Sequence, residues 1–166
     1  ICSAAGLGWR VAVADERVRG VLMVDGMAVG GRWLWIGQLQ MALHSPAWHW
    51  PAKLLRWVRR GEGAGGGAPA GRADDVRDWP TPGAFRDQAA RLLDRGVRVF
   101  ALYTGGVADY LLHPRQVDAT FGAARRHPHL RVSCRWDMDH IFFALRHRRE
   151  AVQMIEAWAA DAFGRH

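Results

Sequence analysis

The sequence predicts an α/β protein built on parallel strands, and three observations predict it. Short aliphatic, β-branched runs stop at glycine or at a polar turn, at Val18–Gly26, Val97–Tyr103 and Leu130–Trp136, as strands buried on both faces do. Segments with helical spacing of apolar residues lie before, between and after them. Strands that alternate with helices cross over and return in the same direction, with the helices covering the sheet.

Each element has its own justification. Ser3 to Ala14 is alanine-rich, with Leu7 and Val11 four apart, and predicts a small-residue helix packed on the sheet through those two residues. Thr81-Pro82 starts a second helix, because threonine caps and proline suits the first helical position. Phe85, Ala89, Leu92 and Leu93 share one face of it, and Gly96 ends it. His113-Pro114 opens a shorter helix, capped by the histidine, with Val117 and Phe121 inward. Ala144 to Phe163 predicts a final amphipathic helix burying Val152, Ile155, Ala159 and Ala162.

About 70 residues separate the first two strands, whereas a single crossover needs only about a dozen. The chain therefore divides into a core segment, 1–26, a cap-like insertion, 27–80, and a second core segment, 81–166. The insertion carries Trp33, Trp35, Trp48, Trp50 and Trp57 among Arg32, Arg56, Arg59 and Arg60, then a flexible Gly/Ala-rich loop from Gly61 to Ala73.

Composition narrows the function classes. With 166 residues, 49% of them hydrophobic and 23% charged, the chain can bury a core. No run of about 18 apolar residues and no charged-then-apolar leader occurs, so a soluble, cytoplasmic protein is expected. Two cysteines, Cys2 and Cys134, are too few for a disulfide scaffold, and Cys134 is expected in the core of the third strand. The net charge of +7 raises nucleic acid as a partner, but the arginines are scattered from Arg10 to Arg165, Lys53 is the sole lysine, and no nucleic-acid partner is expected. No histidine or cysteine cluster has metal-ligand spacing: proline separates His127 from His129, and no carboxylate lies between His44 and His49. No phosphate-loop ending follows the glycine-rich stretch, so neither metal nor cofactor is expected.

The chemistry-bearing residues follow the strands. A nucleophile on a tight strand-to-helix turn needs small neighbours two places away; Cys2 has Ala4 there, while Ser3 has Ile1. Cys2 is thus the candidate nucleophile, and the Ser3 N–H the candidate oxyanion donor, since in that geometry the residue after the nucleophile supplies it. Asp109 comes after the second strand and His140 after the third. Nucleophile, acid and base then run in the order Cys2, Asp109, His140, which is the hydrolase order. Asp118 and Asp25 are the alternative acids.

On these residues the chain resembles the C-terminal half of a bacterial α/β-hydrolase, and among such enzymes the hydrolases associated with exosortase systems. Ile1-Cys2-Ser3-Ala4-Ala5-Gly6 with Ala14 to Val21 is similar to their nucleophile elbow, helix and sixth strand. Leu102 to Gly106 resembles the seventh strand, and Asp139-His140 the catalytic-histidine loop. The resemblance implies a partial α/β-hydrolase fold with a helical cap insertion, and an N-terminally truncated chain whose first five strands, with the loop donating the second oxyanion N–H, belong to a missing half. It departs from the family in having cysteine for the usual serine and Ala4 for the usual glycine.

The implied activity is hydrolysis of an ester, thioester or amide through an acyl-enzyme, with a small-molecule acyl substrate. The alternative is a non-catalytic hydrolase-like protein that binds a membrane surface or a partner through the Trp/Arg-rich insertion. An open sheet edge further predicts that the 166 residues alone self-associate.

Overall fold

The computed structural model describes residues 2–43, 79–105 and 111–164. Among them are three strands, β1 (Gly20–Val24), β2 (Arg98–Thr104) and β3 (Leu130–Arg135). Five α-helices accompany them: α1 (Cys2–Ala14), α2 (Arg32–Leu43), α3 (Pro82–Asp94), α4 (Pro114–Phe121) and α5 (Leu145–Phe163). A 3-10 turn, Gly122–Arg126, follows α4. The sheet is parallel throughout in the order β1-β2-β3, with Val21 opposite Val99 and Ala101 opposite Val132. The α/β class is therefore as expected; most of the insertion, including its Gly/Ala-rich loop, lies outside the described residues.

The central strand shows how the core is divided. β2 is buried on both sides, and its residues alternate, so that Val99, Ala101 and Tyr103 face one layer and Phe100 and Leu102 the other. The first layer holds α1, α3 and α4, with Trp9, Phe85 and Phe121 at its centre. Trp9 stacks on Phe85 at 4.5 Å between centroids, and Phe85 meets Phe121 edge-on at 5.5 Å. The second layer is α5 alone with the loop before it, packed around Phe100, Leu102, Met138 and Trp158.

Helix starts and stops follow the local chemistry. The Thr81 hydroxyl accepts from Ala84 N–H, Pro82 takes the first helical position, and α3 buries Phe85, Ala89, Leu92 and Leu93. Gly96 then adopts a φ of 89°, which an L side chain resists. His113 caps α4 through Nδ1, accepting from Arg115 N–H at 3.1 Å, while Gln116 Oε1 accepts from His113 N–H at 2.9 Å.

Two faces differ from expectation. In α1 it is Ala5, Trp9 and Ala12 that are buried, and Leu7 and Val11 face outward. Trp9 sets that rotation: its indole offers the largest area, stacks on Phe85, and donates Nε1–H to Gln88 Oε1 at 2.8 Å, while the alanines one turn either side let the helix approach the sheet. In α5 Val152 is exposed and Ala151 and Trp158 are buried, with Ile155, Ala159 and Ala162 partly covered. Again the indole decides, for Trp158 sits against Phe100 and pulls the helix round by part of a turn.

Candidate active site at the carboxyl edge of the sheet

A parallel sheet collects at its carboxyl edge the residues that follow each strand, and the candidate site forms there. Asp25 comes directly after β1. Its N–H still donates to Leu102 O at 2.8 Å, extending the ladder, but its φ of 48° turns the chain out of the sheet. Aspartate tolerates this left-handed backbone better than bulkier residues do.

The Asp25 carboxylate is fully buried and held from two sides. Thr104, last residue of β2, donates its N–H to Oδ1 at 2.7 Å and its hydroxyl to Oδ2 at 2.7 Å. From the loop after β3, His140 places Nδ1 2.7 Å from Oδ2. A buried carboxylate needs such donors to remain ionised, because an uncompensated buried charge is costly. With the carboxylate as acceptor, Nδ1 carries the ring proton, and Nε2 of the neutral imidazole keeps its lone pair. Nε2 takes no partner among the described residues, and the His140 side chain is 30% exposed.

The loop that presents His140 is tied at several points. Gly105 N–H donates to Met138 O at 2.9 Å, and a Cβ at Gly105 would overlap the Trp136 carbonyl, so the ends of β2 and β3 are held in main-chain contact. Met138 and Phe142, two residues either side of His140, turn into the core beside Leu102. Between them the Asp139 carboxylate accepts from Ile141 N–H at 3.1 Å and Phe143 N–H at 2.9 Å. Those backbone donors, Phe143 first, hold its pKa below the usual carboxylate range. Arg135 clasps Asp137 and Glu150, and its hydrogen bond lowers Asp137 to about 2. Arg148 Nε–H donates to Phe142 O at 2.7 Å, closing the loop onto α5. The residues that alternate with the anchors point outward: Ile141 is 70% exposed and Phe143 79%.

The remaining candidates from the sequence fall in different places. Cys2 and Ser3 open α1, which runs back along β1 to its amino end, where Arg95 caps Ala12 O, so the first turn of α1 lies towards the carboxyl end of β1. The side chains of Cys2 and Ser3 lie outside the described residues, as does Asp109. Asp118 is exposed on α4 and paired with Arg125 at 3.1 Å. Among the candidate acids in the described residues, Asp25 is the one the fold joins to His140.

Thr104 is a participant that the sequence reading misses. A hydroxyl residue ending a buried strand, level with an aspartate that ends its neighbour, is the available signal. Cys134 is half-buried in β3 with its thiol pushed up by burial, which suits a packing role. His127 and His129 meet edge-on, with His127 Nδ1 accepting from the His129 N–H, and His129 Nδ1 lies 3.1 Å from Leu93 O. No group of metal-ligating side chains occurs among the described residues, and no helix among them is long and apolar enough to cross a membrane. In comparisons with protein-family models, curated proteins and solved structures, nothing matches the chain.

Proposed function

We propose that the chain is an acyl hydrolase acting on an ester, thioester or amide, with Cys2 as nucleophile, His140 as general base and Asp25 as the acid that orients it. The observation that carries this reading is the 2.7 Å contact between His140 Nδ1 and the buried, doubly held Asp25 carboxylate, with Nε2 left to face a reactant. Asp25 takes the place that chain order alone gives to Asp109.

In the proposed reaction Nε2 takes the thiol proton of Cys2 as sulfur attacks the acyl carbon. The Ser3 N–H donates to the developing oxyanion. Collapse breaks the bond to the leaving group, which receives the proton from His140, and leaves a thioester to the enzyme. Water then gives its proton to His140, attacks that thioester, and releases the acid and the free thiol. A helix N-terminus favours the thiolate form of a cysteine placed there. Asp25 stabilises the imidazolium formed in both halves and keeps Nδ1 protonated.

The test is turnover of p-nitrophenyl esters and of an acyl thioester by the whole chain. Cys2→Ala and His140→Ala are expected to abolish it, and Asp25→Asn to lower kcat by about 10⁴-fold, as loss of the orienting carboxylate does in serine hydrolases. Turnover untouched by Cys2→Ala overturns the nucleophile; turnover untouched by Asp25→Asn but lost in Asp109→Asn returns the acid to Asp109.

A further inference from the structure

Helix α2 shows apolar residues on both sides. Its inward side includes Gly37, where a Cβ would overlap Leu112, and the half-buried Trp33, Leu34 and Ile36, with Trp33 stacked on His113 at 4.9 Å. Its outward face carries Trp35, Leu39 and Leu43, at 53%, 53% and 61% exposure. Spaced four apart, these three form one stripe along the helix. On its outer face an ordinary surface helix shows water polar and charged side chains instead.

The sequence around the stripe carries charge of one sign. Between Asp25 and Glu62 the sequence contains no carboxylate, and its ionic side chains there are Arg32, Lys53, Arg56, Arg59 and Arg60. In the fold, Arg32 and Arg115 both lie over the Trp33 ring, at 5.0 and 4.7 Å, so two exposed guanidiniums stand at the start of α2. The segment leading into α2 is anchored to the body of the protein, by Tyr103 O–H to Met27 O at 2.8 Å and by Val29 N–H to Thr120 Oγ1 at 2.9 Å. The stripe is therefore carried on a tethered base beside the carboxyl edge.

We propose that α2 docks on a membrane surface carrying anionic lipid headgroups, with Trp35, Leu39 and Leu43 entering the interface and Arg32 and Arg115 meeting the headgroups. A helix with an aromatic and aliphatic outer stripe, cationic flanks and no acid suits that boundary: apolar area gives the affinity and the cations select negative lipid. The inference does not rest on the acyl-transfer reading, and its readout is binding alone.

Flotation of the whole chain with vesicles tests it, because bound protein rises while self-associated protein sinks. Vesicles of phosphatidylcholine with about one quarter phosphatidylglycerol are expected to carry the protein up, and pure phosphatidylcholine to carry at least about fivefold less. Trp35→Ser with Leu39→Ser is expected to weaken binding about tenfold or more, and Arg32→Gln alone about fivefold. Leu7→Ser with Val11→Ser, which removes exposed apolar surface from α1, leaves binding unchanged. If the double variant in α2 loses its helical circular dichroism, the arginine variant, which leaves the apolar stripe whole, is the deciding measurement. Failure to float, equal binding to both vesicles, parental binding by the α2 variants or an equal loss in the α1 variant each overturns the proposal. So does salt-sensitive RNA retention without flotation, which would make a nucleic acid the occupant.

Discussion

The two faces of the sheet are built to different depths. One is covered by three helices that interlock Trp9, Phe85 and Phe121; the other has α5 and the His140 loop, and leaves Leu22 of β1 partly in water. The thin face contributes Met138 and Phe142, the anchors on either side of the imidazole. The thick side thus carries most of the aromatic core together with α1, which Cys2 and Ser3 open, and the thin side carries the loop that presents His140. Damage on the thick side is therefore expected to act on the whole fold, and damage on the thin side first on the geometry of His140.

Three measurements test that contrast. The largest effect is expected from Phe85→Ala, which opens a void among three aromatic rings and costs about 3–5 kcal/mol in urea denaturation. A loss under about 1 kcal/mol would mean that the thick face does not carry the fold. Met138→Ala is expected to cost less, about 2–4 kcal/mol, but to move the His140 imidazole signals in NMR spectra that Phe85→Ala leaves in place under conditions where both remain folded. Unmoved imidazole signals would detach the loop from the thin core.

The smallest effect concerns acid. Asp137 and Asp139 are both held below the ordinary carboxylate value by Arg135 and by the Phe143 N–H, so each favours the folded loop above about pH 4. That support is lost as pH falls through the folded values, for Asp137 about 2. Between about pH 4 and 2 the Phe143 amide signal is expected to shift before far-UV circular dichroism changes. Asp139→Asn should remove most of that shift; an unaltered titration would assign it elsewhere.

How much of this is legible in the sequence depends on whether a local rule or a distant contact decides. The cap at Thr81, the buried face of α3, the stop at Gly96 and the His113 cap follow from residues within one or two turns, and each is readable. The rotation of α1 is not, because Leu7 and Val11 have the right spacing while Trp9 finds its partners about 80 residues away in Phe85 and Gln88. Val152 misleads for the same reason, with Trp158 drawn to Phe100. For the site, the position of His140 after a third strand is legible from the alternation of elements. The choice among acids is not: Asp25, Asp109 and Asp118 are alike in local sequence terms, and only the alignment of β1 with β2 brings Thr104 and His140 onto the first of them.

Gly105 has a consequence for how the molecule can change over time. The space its missing side chain vacates is filled by the oxygen of Trp136, so the spacing of two neighbouring strand ends is fixed by peptide atoms that every substitution leaves in place. The spacing of the strand ends is therefore independent of the size of the packing residues around it, which act on His140 through its loop alone. Position 105 itself has no freedom of size, since any larger residue would wedge the strand ends apart.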